Sequence, residues 1–313
     1  SRNFANKVWN ASRFIMMNLE GMEVTEPASS DLAPEDKWIL SAVNTLTKDV
    51  TENMDKFELG IAVQKVYDFI WDEFCDWYIE LVKYRIYHSD ENYKSANAAL
   101  WTLKTVLGNA LKMLHPFMPF VTEEIYSALV PEEKSLMMSD WPQFTEDWCY
   151  ADAENITDHM KEVIRGVRNA RAEMNVPPSR KAKVYVVCED EKLCEGFEEL
   201  TTCACPLMSA SELAIQADKA GIADDAVSIV VPDASVYVPL EELIDFEQEI
   251  ERLTKEEEKL TKEINRAKGM LSNEKFVSKA PQAKVDEEKA KLEKYTQMME
   301  QVKERLEALK AGR

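Results

Sequence analysis

Residues able to bind an unpaired nucleic-acid base lie on one stripe of the first predicted helix. Lys7, Asn10 and Phe14 are spaced three and four residues apart, so they share one face of a helix. A phenylalanine among polar side chains can stack on a base, while amide and ammonium groups reach base edges and phosphates. The alternative is that Phe14 packs on a neighbouring helix, and the spacing favours neither interpretation.

Two segments concentrate positive charge in a chain that is acidic overall. The sequence has 58 Asp and Glu against 38 Lys and Arg, a net charge of -20, which argues against nucleic-acid binding through bulk charge. A basic run is usually only a solvated face of a helix, but two such runs on separate elements suit one long polyanion. The first run comprises Lys161, Arg165, Arg168, Arg171, Arg180, Lys181 and Lys183. The second comprises Lys259, Lys262, Arg266, Lys268, Lys275, Lys279 and Lys284.

The sequence lacks the motifs that mark common catalytic sites. It contains no GxxxxGK[ST] loop, GxGxxG turn, HExxH pair or G-x-S-x-G elbow. Cys203 and Cys205 could supply half of a zinc site, but no second half is nearby. We therefore predict binding and positioning, with no catalytic residue, metal or cofactor in this chain. The six cysteines are expected to be reduced thiols of a cytosolic protein.

The elements that position these residues are predicted from hydrophobic periodicity. Apolar residues at helical spacing predict a bundle over residues 1–182, and its third helix, aromatic on nearly every turn, is expected at the centre. The predicted helices span residues 2–19, 36–54, 60–84, 93–114, 120–129 and 153–174.

The pattern changes twice after the bundle. Residues 183–239 predict a small α+β junction module, and residues 240–313 carry a heptad pattern with a break at 272–281, which predicts an antiparallel coiled-coil hairpin. The predicted fold class is therefore mainly α. Within the module we predict strands at 184–188, 213–216, 226–231 and 235–238 and a helix at 191–200.

Targeting signals are not evident in the sequence. No run reaches the roughly 18 apolar residues that span a membrane, and the start, SRNFANKVW, lacks the apolar core of a signal peptide. That start reads as the interior of a helix, which suggests a fragment of something longer. We predict a cytoplasmic monomer without membrane contact.

Several segments, in this order, resemble the valyl-tRNA synthetase family downstream of its catalytic domain. One of the segments, LHPFMPFVTEEIY, is weakly specific, because the isoleucyl, leucyl and methionyl enzymes carry similar sequences in their helical bundles. The other segments are more specific to the valyl family. The segments are RNFANKVWNASRF (2–14), YDFIWDEFCDWYIELVK (67–83), LHPFMPFVTEEIY (114–126), IRGVRNARAEMNVPPSRK (164–181), VPLEELIDFEQEI (238–250) and LSNEKFVSKAP (271–281).

The resemblance implies part of a class I synthetase that joins valine to tRNA(Val) with ATP and hydrolyses mischarged threonine in an editing domain. The family's HIGH and KMSKS signatures are absent here, so ATP belongs to a catalytic domain outside this chain. The resemblance places the anticodon loop against the bundle and the outer corner of the tRNA against the coiled coil. It implies anticodon contacts from Lys7, Asn10, Arg13 and Phe14. It suggests phosphate contacts from Arg165, Arg168, Arg171, Arg180, Lys181, Arg266, Lys268, Lys275 and Lys279.

Two alternatives remain open at this point. The bundle and coiled coil could form a protein-assembly module that does not bind tRNA. Alternatively, the chain could be the equivalent region of an isoleucyl or leucyl enzyme, although the C-terminal hairpin argues against that.

Overall fold

The protein is described by a computed structural model that covers residues 2–132, 135–243, 246–273 and 282–311. The chain divides into unit 1, Ser1–Pro239, and unit 2, Leu240–Arg313. The fold is mainly α, as predicted. A further division of unit 1 at residue 182 stays a prediction. Among the described residues, no helix combines the length and apolar character that crossing a membrane requires.

Helices dominate unit 1, and their bounds lie close to the predicted ones. Pro34 and Pro119 occupy the first turns of α2 and α6, where proline is tolerated because the first amides of a helix have no partner. The helices are α1 (Arg2–Leu19), α2 (Pro34–Asp55), α3 (Leu59–Asp68), α4 (Ile79–Tyr87), α5 (Tyr93–Leu114), α6 (Pro119–Leu129), α7 (Ala151–Glu173) and α8 (Glu191–Met208). Short 3-10 turns occupy Ser29–Asp31, Leu136–Met138 and Glu146–Trp148.

The aromatic helix predicted over 60–84 has a π-helical centre. α3 continues into a π-helical segment, Phe69–Tyr78, which then continues as α4. A π-helix bonds residue i to i+5, so it changes which side chains share a face. Here it directs Asp76 toward α1 and Trp77 toward α7, while Phe74 is fully buried. Hydrophobic periodicity did not predict this change of winding.

A buried charged cluster joins α2 to α4 in the bundle core. Arg85 donates from Nη2 to Asp36 Oδ2 (2.8 Å) and from Nη1 to Glu35 Oε1 (2.7 Å), and the Tyr78 hydroxyl donates to Asp36 Oδ1 (2.7 Å). The second oxygen of Glu35 is buried without a hydrogen-bond partner. Desolvation by burial raises the pKa of Glu35 above its ordinary value, against the lowering effect of Arg85.

The predicted α+β region forms a four-stranded sheet of order β2-β1-β4-β3. β1 and β2 are parallel, with α8 as the crossover between them, and the other pairs are antiparallel. Asp233, with φ of 56°, closes the two-residue turn between β3 and β4. The strands are β1 (Ala182–Val187), β2 (Ala210–Gln216), β3 (Val227–Val231) and β4 (Ala234–Val238).

Two local predictions in this region are wrong. α8 does not end at Leu200 but continues to Met208, because Cys203, Ala204 and Met208 extend its buried face. The cysteines are also not all reduced, since Cys188 and Cys194 form a disulfide. Cys188 follows β1 and Cys194 lies in the first turn of α8, so the tight turn between these elements brings the two thiols together. No spacing pattern in the sequence indicated that pair.

Unit 2 is an antiparallel pair of long helices. It comprises α9 (Leu240–Leu243), α10 (Phe246–Ser272) and α11 (Gln282–Ala311). Leu253, in the first third of α10, and Leu260, at its middle, cluster with Val302 and Leu306, which lie late in α11. This pairing of opposite ends establishes the antiparallel direction that the heptad pattern predicted.

Candidate nucleic-acid interface

The predicted stripe on α1 is partly free and partly engaged. Asn10 and Arg13 are exposed. Lys7 is not a free ammonium group, because its Nζ lies 2.7 Å from Asp76 Oδ1 and 3.8 Å from the centre of the Trp71 ring. The π-helical segment therefore holds Lys7 against the bundle, with less than a quarter of its side chain accessible.

Phe14 is partly packed against a neighbouring helix and partly accessible, so the structure is compatible with both packing and base stacking. It is half-buried, and its ring meets the exposed ring of Tyr87 edge-to-face at 6.4 Å between centroids. Lys83 Nζ lies 5.8 Å from the Phe14 centroid. Lys83 and Tyr87 are spaced four residues apart on α4, and sequence reasoning did not select them, since nothing in the spacing showed that α4 lies beside α1. They add a cation and a second aromatic ring to the predicted site.

The basic residues of α7 include two that lie over Trp77 of the π-helical segment. Arg165 and Arg168 are exposed, and their Cζ atoms lie 5.1 and 5.9 Å from the centre of the buried Trp77 ring. Arg168 also donates from Nε to the Leu207 carbonyl, and Arg165 pairs with Glu162 at the surface. The indole thus supports two guanidinium groups by cation–π contact.

Two members of the same basic run point inward. Arg171 is buried, and its Nη2 donates to the carbonyls of Pro177 and Arg180, where it holds the loop before β1. Lys161 is also buried and pairs with Glu73 and Asp158 at 2.9 Å each. Both side chains therefore stabilise contacts within unit 1.

The rest of the first run lies in the loop between α7 and β1 and at the start of β1. Arg180 is half-buried and has partners within the protein. Lys181 is exposed, and Lys183 pairs with Glu212 at 2.9 Å.

Glu80 connects the α1 stripe with the α7 residues. Its carboxylate pairs with Lys83 at 2.5 Å and also acts electrostatically on Arg168. Partial burial lowers the pKa of Arg168, and the charge of Glu80 opposes that effect. Glu80 therefore lies within electrostatic range of both Lys83 and Arg168. We call this set the basic–aromatic surface: Arg13, Phe14, Lys83, Tyr87, Arg165 and Arg168.

Four residues of the second basic run lie on α10, and Lys284 lies in the first turn of α11. Arg266 and Lys268 are exposed, as are Lys259 and Lys262. Arg266 lies 3.5 Å from Glu263, and both side chains remain substantially accessible. Lys275 and Lys279 lie outside the described residues.

The described residues offer no site for a metal ion. Among them, no group of three or more His, Cys, Asp or Glu side chains is arranged to hold one.

Two family models match the chain. Residues 36–186 match the family described as "Anticodon-binding domain of tRNA ligase". Residues 245–310 match the family described as "Valyl tRNA synthetase tRNA binding arm". The two matches fall in units 1 and 2, respectively.

Curated relatives match almost the whole chain. The valine–tRNA ligase of Clostridium perfringens is 49% identical over 311 residues, and that of Clostridium tetani is 49% identical over 312 residues. The valine–tRNA ligase of Bacillus cereus is 40% identical over 305 residues. These alignments cover 97–99% of this chain and 34–35% of each relative, so the chain spans about a third of their length. The chain belongs to the valine–tRNA ligase family and corresponds to its C-terminal region, which contains the anticodon-binding domain and the tRNA-binding arm.

Proposed function

We propose that unit 1 binds the anticodon loop of tRNA(Val) through the basic–aromatic surface and that unit 2 binds the outer corner of the same tRNA. The observation that carries the proposal is that Phe14 lies against the exposed ring of Tyr87 and near the ammonium group of Lys83. On α7, Arg165 and Arg168 add two guanidinium groups that lie over Trp77. Aromatic rings beside cations are what an unstacked base and its phosphate require.

The aromatic part of the surface suits a base of the anticodon. Phe14 is held edge-to-face by Tyr87, which fixes its plane, and Tyr87 itself is largely exposed. A base that stacks on either ring places its phosphate near Lys83 or Arg13. Asn10 lies one turn earlier on α1 and can hydrogen-bond a base edge.

The cationic part suits the phosphates next to the loop. Arg165 and Arg168 project from α7 with their positions restricted by Trp77. Restricted guanidinium groups lose less conformational entropy on binding than free ones. We leave Arg171 out of the interface because it is buried, and we assign Lys7 a role in positioning α1.

The exposed cations of α10 provide salt-dependent affinity in unit 2. Lys259, Lys262, Arg266 and Lys268 lie on the exposed surface of a long helix, where they can neutralise phosphates without reading sequence. On this proposal the arm contacts the corner where the D and T loops meet, which is what the family resemblance implies.

The whole protein, on this proposal, is a cytoplasmic, monomeric valine–tRNA ligase. Regions that this chain does not span bind ATP, activate valine and hydrolyse mischarged threonine. Contacts made far from the acceptor end position that end for the reaction. The competing candidate is a protein-assembly module.

A titration of labelled tRNA(Val) with the 313-residue chain at several salt concentrations tests the proposal. We expect binding whose logarithm of affinity falls linearly with the logarithm of salt concentration. A tRNA with a substituted anticodon should bind more weakly. Absence of binding at low salt, or an affinity independent of salt, would leave the assembly module as the better explanation.

A further inference from the structure

One end of unit 1 exposes an unusual amount of apolar surface. Isolated apolar residues on a surface need no explanation, but large contiguous apolar patches mark contacts with other polypeptides. Six large apolar side chains at this end are between 46% and 91% exposed. They are Phe57, Leu59, Ile61, Phe120, Met137 and Met138, and we call them the apolar end.

Half of the apolar end is assembled around Glu123. This carboxylate accepts a hydrogen bond from the Leu136 amide at 3.0 Å, which fixes the 3-10 turn that carries Met137 and Met138. Phe120 lies one turn before Glu123 on α6, on the same side of the helix. Three of the most exposed large apolar residues are therefore neighbours.

A second hydrogen bond brings this turn to the end of α2. Trp141, three residues after Met138, donates from Nε1 to Thr51 Oγ1 at 2.9 Å. Thr51 lies in the last turns of α2, and Phe57 follows directly after that helix. Leu59 then begins α3, so all six residues lie at the same end of the bundle.

Phe57 also has a backbone conformation that its side chain disfavours. Its φ is 59°, in the left-handed region where glycine is the usual residue. The Phe57 ring is 86% exposed, so no contact within the described residues explains why a large aromatic side chain occupies this turn. An external partner would use the ring.

We propose that the apolar end is the docking surface for the polypeptide that precedes this region in the longer valine–tRNA ligases. The relatives are about three times as long as this chain, which corresponds to their C-terminal part. α1 begins toward the same end, since Phe4 packs on Tyr67 of α3 at 4.5 Å between ring centroids. A polypeptide that joins α1 therefore reaches Phe57 and Phe120 by a short path.

The side chains of the apolar end favour contact with a partner surface that is itself apolar. Phenylalanine and methionine side chains dominate it, and methionine adapts to irregular apolar partners. Burial of this surface would fix the orientation of unit 1 on the rest of the protein. The proposal concerns a protein contact and does not depend on tRNA binding.

Oxidative footprinting tests the proposal. A chimera would join the upstream two-thirds of the Clostridium perfringens enzyme to this chain, and its methionine oxidation rates would be compared with those of the chain alone. Met17, which is exposed on α1, and Met113, which is fully buried, are internal standards. In the chain alone, Met137 and Met138 should oxidise as fast as Met17. In the chimera they should slow to the rate of Met113, while Met17 stays fast.

Unchanged rates for Met137 and Met138 in the chimera would overturn the proposal. A second measurement needs only this chain: a combined Phe57→Ser, Phe120→Ser and Met138→Ser variant should bind less of an apolar fluorescent dye. The control Val230→Ser, which removes an equally exposed apolar residue from β3, should not. If the triple variant binds as much dye as the wild-type chain, the six residues do not form an exposed apolar surface. If the wild-type chain sediments as a dimer and the triple variant as a monomer, the surface binds a second copy and not the upstream polypeptide.

Discussion

The guanidinium group of Arg165 lies over the indole of Trp77, with its Cζ atom 5.1 Å from the centre of the ring. Trp77 is almost fully buried and comes from the π-helical segment, so its ring is a fixed platform. The same ring supports Arg168 at 5.9 Å. One core residue therefore orients two surface cations, and this relationship leads to the first prediction.

Replacement of Trp77 with leucine should weaken tRNA binding without abolishing it. Trp77→Leu keeps an apolar side chain but removes the cation–π support, which we expect to cost about 0.5 to 2 kcal/mol of binding free energy. A fluorescence titration with tRNA(Val), at a temperature where the variant is folded, measures the loss. Trp101→Leu is the control, since Trp101 is half-buried and contacts Trp148. Equal losses from both variants would indicate general destabilisation instead.

Phe14→Ala should reduce affinity for tRNA(Val) by about 1 to 3 kcal/mol if a base stacks on the ring. The loss should shrink for a tRNA with substituted anticodon bases, because the stacked base is then no longer the cognate one. Phe144→Ala, at a partly exposed aromatic residue that contacts Lys48, should leave affinity unchanged. If Phe14→Ala weakens both tRNAs equally, Phe14 contributes to packing only.

Removal of cations from α10 should lower the salt dependence of binding. Combined Lys262→Gln and Lys268→Gln should reduce the slope of log affinity against log salt by about 1 to 2. The loss of affinity should be the same for cognate and non-cognate tRNA, because phosphate contacts carry no sequence information. Lys192→Gln, at an exposed residue of α8, is the control. A double variant with an unaltered slope would exclude these lysines from the interface.

Glu35→Gln should stabilise the protein at high pH relative to wild type. Burial raises the pKa of Glu35 above its ordinary value of 4.5 in the folded protein. The protonated Glu35 side chain therefore contributes its full stabilisation below pH 4.5. That stabilisation is lost as pH rises through the pKa of the folded state. The variant avoids this ionisation cost, so its stability relative to wild type should increase as pH rises. Urea unfolding at pH 5 and pH 8 measures the difference.

The sign of that difference is the critical result. The advantage of the variant should be larger at pH 8 than at pH 5, while Glu20→Gln, at an exposed carboxylate, should show no such trend. A wild-type protein that gains stability over Glu35→Gln as pH rises would mean that the Arg85 ion pair outweighs desolvation.

Much of the fold follows from local sequence. Apolar spacing located the helices of unit 1, since each buries a stripe set by the helical period. The β-branched runs located the strands, and the heptad pattern located the two helices of unit 2. The end of α8 and the disulfide between Cys188 and Cys194 did not follow, because both depend on packing between elements distant in sequence or on a turn that spacing does not specify.

The sequence alone determined which residues could bind a polyanion, because residue type and helical spacing decide which cations and aromatic rings share a face. Only the tertiary structure decided which of them are available. Arg171 and Lys161 are exposed or buried according to what packs against α7, and Lys7 is paired because the π-helical segment brings Asp76 beside it. The proximity of Phe14 to Lys83 likewise depends on α1 packing along α4, a long-range contact that no local pattern encodes.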